Sequence, residues 1–103
     1  MNANQMIKNI KTYQKTINSE FENMNKVISQ INLKKYKGED VQSEIKKYNK
    51  YVANYKKAIS GLNTNFKFLK AQHVMSLEEI MEIENELNGY EQRFKEITKY
   101  ANL

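Results

Sequence analysis

A chain of 103 residues, 40% hydrophobic and 28% charged, has room for one modest core and is neither a disordered tail nor a membrane protein. Cysteine is absent, which removes disulfides, thiolate metal sites and thiol catalysis together. The net charge of +5 hides an uneven distribution along the chain.

Proline is also absent and there are only three glycines, so little interrupts long helices. The first helical pattern spans residues 3–36. Its apolar positions are Ala3, Met6, Ile10, Tyr13, Ile17, Phe21, Met24, Ile28 and Ile31, in steps of three and four that keep one face apolar. Two consecutive steps of four around Ile17 form a stutter, which unwinds a supercoil locally without breaking the stripe. At ~1.5 Å per residue such a helix is about 50 Å long.

A break follows at Tyr36-Lys37-Gly38-Glu39-Asp40. Gly38 can adopt the left-handed conformation that closes a helix, and Lys34, Lys35 and Lys37 sit where the helix dipole favours cations. Asp40 can accept from the first free amides of the next helix. So short a turn between long helices makes them antiparallel neighbours.

The second pattern, residues 41–72, is the most regular. Val41, Ile45, Tyr48, Val52, Tyr55, Ile59, Leu62, Phe66 and Leu69 alternate steps of four and three, and His73 is next in register. Gly61 within Ser60-Gly61-Leu62-Asn63 is its weak point, yet the stripe passes through it, so one continuous helix is expected. Ser76 and Glu79 form a capping box, and Met75 with Ile80 has the spacing of a hydrophobic staple. They open a third helix over residues 77–101. Its stripe is Ile80, Ile83, Leu87, Tyr90, Phe94, Ile97 and Ala101, with Asn88-Gly89 as a candidate kink. The fold expected is all-α: a long antiparallel helical hairpin plus a third helix in a coiled-coil-like bundle, forming one domain.

Charge divides unevenly along these elements. Residues 1–38 carry seven Lys against two Glu, residues 41–73 seven Lys against one Glu, and residues 74–103 three basic residues against seven Glu. A basic hairpin should therefore attract an acidic third helix. A nucleic-acid reading draws on Lys46, Lys47, Lys50, Lys56 and Lys57 interleaved with Tyr48, Tyr51 and Tyr55. It is the weaker reading, because Tyr48 and Tyr55 hold seam positions and the run contains no Arg.

Ile7, Phe68, Val74, Met75, Leu77 and Met81 lie off the stripes. In an up-down-up bundle they gather where the second turn meets the N-terminus, and either cap the core or form a patch for a partner. Leu33 and Tyr51 are further off-stripe positions nearer the Gly38 turn. His73, alone and on the apolar register, reads as a packed or capping residue, and one His without Cys makes no usual zinc site. The row Glu78, Glu79, Glu82, Glu84 and Glu86 lacks the Glu-x-x-His pairing of bundle metal sites and reads as a solvated face. No phosphate loop, nucleophile elbow or triad appears, so no catalytic, cofactor or metal residue is assigned and an enzyme is not expected.

Tyr36-Lys37-Gly38, set between two long helices in a chain of about this length, resembles the Trp-x-Gly turn of the small helical proteins of type VII secretion. Tyr36 stands where that family has Trp, Gly38 matches its Gly, and Val41 opens the next seam as the pattern requires. The resemblance covers about residues 1–72. The chain departs from the family in its capped third helix and in lacking a Tyr followed four residues later by an acid, since Tyr90 is followed by Phe94. The resemblance implies a non-enzymatic protein that pairs with itself or with a larger effector and aids its export.

The functional expectation is a protein–protein interaction module, homo- or hetero-oligomeric, without cofactor or membrane span. It is expected to be cytoplasmic, or exported without an ordinary signal peptide, because the start has no basic segment followed by an apolar block. A cytoplasmic adaptor, inhibitor or immunity-type protein is the alternative, and a basic nucleic-acid-associated protein comes third.

Overall fold

The computed structural model of the chain describes residues 2–101, whose regular structure is three helices: α1 (Ala3–Tyr36), α2 (Gln42–Ala71) and α3 (Leu77–Ala101). They lie side by side in a rod of 55 × 22 × 14 Å. No helix among the described residues is long and apolar enough to cross a membrane.

Each helix starts or stops where local chemistry dictates. The Asn2 side chain caps α1 by accepting from the Gln5 amide at 2.8 Å. At the other end Gly38 has φ +76°, its amide donates to Lys35 O (3.1 Å), and the Glu39 amide donates to Lys34 O (2.8 Å). These two bonds are those of a Schellman closure. Asp40 accepts from the Gln42 amide at a long 3.3 Å, and Val41 supplies the carbonyl that takes the first helical bond from Ile45 (2.9 Å). The second helix thus begins at Gln42 rather than at Val41, and it ends at Ala71 with Gln72 as its cap.

α2 runs unbroken through Gly61 and α3 through Asn88-Gly89, so neither weak point interrupts its helix. Gly61 has a packing reason. A Cβ there would meet the Tyr13 ring 2.5–2.8 Å away, so the missing side chain lets α1 and α2 approach.

Ile17, Met24 and Ile31 on α1 and Tyr55, Leu62 and Leu69 on α2 have no exposed surface. Each set is spaced by sevens, the repeat of a coiled-coil seam. Burying such a side chain contributes about 1.5–3 kcal/mol, so these positions dominate the hairpin's cohesion.

The stripe on α2 is not uniformly buried, however. Ile45, Val52 and Ile59 are half-exposed, while Val27, Ala58 and Glu44, all off the stripes, are buried. At 100° per residue, α1 takes the side of α2 carrying Tyr48, Tyr55, Leu62 and Leu69. Ile59 instead turns to the seam with α3, where it lines a groove with Leu87 and Phe94.

α3 docks less deeply. Tyr90, Ile97 and Ala101 are buried, but Ile80, Ile83, Leu87 and Phe94 keep part of their surface. An aromatic stack joins it to the hairpin: the Tyr55 ring lies 6.2 Å from Phe21 and 5.9 Å from Phe94, nearly parallel to the latter at 17°. The Tyr55 hydroxyl donates to the Tyr90 carbonyl at 2.6 Å. Charge attraction contributes through few direct pairs. Lys70 reaches Glu84 only at 3.8 Å, while Lys56 lies over the Phe94 ring and Arg93 of α3 over the Phe21 ring.

Candidate functional site at the end of the rod

The turn from α2 to α3 builds the site. α2 closes on His73, which takes φ 55° and donates its amide to Lys70 O at 3.1 Å. His73 is therefore exposed at a left-handed capping position and is not packed in the apolar register that the step pattern assigns it. Three residues later the capping box closes both ways: the Glu79 amide donates to Ser76 Oγ (3.1 Å) and the Ser76 amide to Glu79 Oε1 (2.9 Å). These bonds to Ser76 hold the Glu79 carboxyl below its usual pKa range.

Two rigid caps only a few residues apart leave the intervening side chains little choice of direction. Met75 folds inward and packs, half-buried, against the core. Val74, Leu77 and Met81 stay 51%, 72% and 53% exposed, and Ile7 of α1 stays 40% exposed. A groove opens between α1 and α3 here, with Ile7, Ile10, Leu69, Val74, Met75 and Ile83 as its apolar lining. Lys11 and Gln14 border it on α1, and Glu79, Glu82 and Glu86 on α3.

Glu86 is committed to structure, accepting from Gln14 Nε2 (2.7 Å) and from the Tyr90 hydroxyl (3.3 Å). Burial, with the Glu86 charge beside it, pushes the Tyr90 phenol up to about 12. Glu82 stands exposed on the rim, with no ion-pair or hydrogen-bond partner among the described residues.

Of the six off-stripe residues, Ile7, Val74 and Met75 thus share one groove, whereas Leu77 and Met81 are exposed on the first turns of α3, on the side turned away from the groove-lining Glu79, Glu82, Ile83 and Glu86. Phe68 is 42% exposed at the same end but does not line the groove. Lys70, two positions on, reaches across to α3, and Leu69 is buried in the hairpin seam, so helical rotation places Phe68 on the hairpin face away from α3.

The opposite end carries its own exposed groups. Tyr36 is 90% and Leu33 55% exposed. Tyr100 is 72% exposed, and its carbonyl accepts from Asn32 Nδ2 at 3.1 Å, which brings α3's last turn beside Leu33. Tyr100 was legible only as an aromatic one step off its stripe. Tyr51, by contrast, is half-buried against the core. Near this end Lys34 pairs with the buried Glu44. The bond from Lys34 is the main reason that the Glu44 carboxyl lies below, and the Lys34 ammonium above, its usual pKa.

Tyr48 and Tyr55 are buried and have no free face on which to stack a base. No group of three or more His, Cys, Asp or Glu residues able to hold a metal occurs among the described residues.

These features define an all-α protein: an antiparallel helical hairpin braced by a shallow third helix, with exposed apolar side chains at both ends of the rod. Comparison with protein-family models, with curated proteins and with solved structures finds no match.

Proposed function

We propose that this chain is a non-catalytic protein–protein association module that works as a homo- or hetero-oligomer through the end of the rod at the α2–α3 turn. One observation carries the reading: Val74, Leu77 and Met81 are each more than half exposed at one end of the rod, which also carries an apolar groove, on a backbone held by two caps. Surface apolar groups are ordinary when scattered, but gathered on a rigid frame they favour a partner. Met75 and Met81 add side chains that adapt to the shape they meet.

In its specific form the module is a type VII secretion substrate, or the accessory partner of a secreted effector, made in the cytoplasm and exported with it. The Tyr36-Lys37-Gly38 turn between two long antiparallel helices supports that form.

Purification of the native complex followed by mass measurement tests the general reading. A species heavier than one chain is expected; a single chain without a retained partner overturns it. Export dependent on type VII machinery tests the specific form, and retention in cells with that machinery intact overturns it.

A further inference from the structure

The large hydrophobic side chains left exposed among the described residues all lie at the two ends of a 55 Å rod. Ile7, Phe68, Val74, Leu77 and Met81 are at the α2–α3 end, and Leu33, Tyr36 and Tyr100 at the Gly38 end. Its flanks have none. We propose that copies of this chain associate end to end, with Leu33 and Tyr36 of one copy seated in the groove between α1 and α3 of the next. The inference rests on the reading of the α2–α3 end as an association surface and names its occupant.

Shape and charge select that occupant. Leu33 and Tyr36 are one helical turn apart on α1, so they project together as a pair of anchors. Lys35 and Lys37 flank them, Lys34 being paired with Glu44, and the receiving groove offers Glu82, with Glu78 beside it on α3. The receiving end also carries Lys8 and Lys11 on α1, and the docking turn carries Glu39 and Asp40 to answer them. The Gly38 turn thus keeps a net positive charge and the first turns of α3 a net negative one.

Pairing of two Gly38 ends would bring the two lysine clusters together, a repulsive contact. Pairing of two α2–α3 ends would leave Leu33, Tyr36 and Tyr100 in water. The head-to-tail arrangement covers Leu33, Tyr36 and the apolar groove in a single kind of contact. Such a heterologous contact does not close at two copies, so association continues into rods or a ring.

The experiment is sedimentation of the purified full chain over a range of concentrations, alone and with two variants. Val74→Asp spoils the receiving groove and Tyr36→Asp the docking end; both side chains are exposed, so circular dichroism should show folds like the wild type. The wild-type mass is expected to rise with concentration through successive multiples of one chain. Each variant alone is expected to lose at least tenfold in association. An equimolar mixture of the two should form dimers and stop there, because it holds one intact contact.

A wild-type protein that stays monomeric at every concentration overturns the proposal, as does a mixture that stays monomeric or dimers that both variants leave unchanged. These failures are separable from failure of the broader reading. A native complex holding a different protein would keep the association module and discard the self-association. A native species of one chain alone would discard both.

Discussion

His73 is the residue at which local chemistry is least comfortable. It holds the left-handed position after α2, where glycine is the usual occupant. An L side chain there costs roughly 1–2 kcal/mol, partly offset because glycine loses more freedom on folding. His73→Gly is therefore expected to raise stability by up to ~1 kcal/mol, read as a higher urea midpoint at unchanged slope. A lower midpoint would show that the imidazole itself holds the turn. Glu44 is a second residue with a definite signature. Its folded carboxyl lies below the usual 4.5, chiefly through the Lys34 bond, so its contribution is present above that value and is lost as pH falls through the lowered one. Lys34 is shifted up, so the same pair also fades as pH rises above 10.5. Glu44→Gln should thus melt lower than wild type at neutral pH, with the gap narrowing in acid. The downward shift at Glu79 is common to both proteins and cancels from that difference. Curves that stay parallel into strong acid would refute the assignment.

At the scale of elements, α1 and α2 form the stable body, and α3 is attached to it by a few specific bonds. The Tyr55 hydroxyl on the Tyr90 carbonyl is the most buried of these. Tyr55→Phe keeps the ring in its stack with Phe21 and Phe94 but removes the bond, at a cost of about 0.5–1.5 kcal/mol. The loss should fall unevenly: amides of α3 are expected to exchange faster while those at the centre of α1 and α2 stay protected. Uniform acceleration across all three helices would mean that α3 unfolds only with the whole. Helix limits were legible in the sequence because short-range chemistry sets them, as at Gly38 and at Ser76 with Glu79. The rotation of α2 was not. Its alternation of three and four marks one stripe, yet that stripe serves two neighbours, with Tyr55 and Leu62 turned to α1 and Ile59 to α3. Nothing local announces that Ala58 and Glu44 would be buried beside the first of these. Gly61 looked like a helix weakness for the same reason, since the Tyr13 ring that crosses it lies 48 positions away in the chain.

At the scale of the whole molecule, the six off-stripe residues were legible as a group at one end, but their division between two faces was not. That division depends on where α3 lies against the hairpin, and it yields a comparison within one end of the rod. Val74 is 51% and Phe68 42% exposed, so an aspartate at either site meets water and should change stability by no more than about 0.5 kcal/mol. Val74 lines the groove, whereas Phe68 lies on the hairpin face away from it. If the groove is where a partner docks, Val74→Asp should weaken association by tenfold or more, because it sets an unpaired charge against apolar surface in a groove already lined by Glu79 and Glu82. Phe68→Asp should leave association nearly unchanged. Equal loss from both variants at unaltered melting temperature would place the contact across the tip of the rod rather than in the groove. A large fall in melting temperature for either would show that the side chain belongs to the core, and then the exposed apolar end would be packing rather than a binding surface.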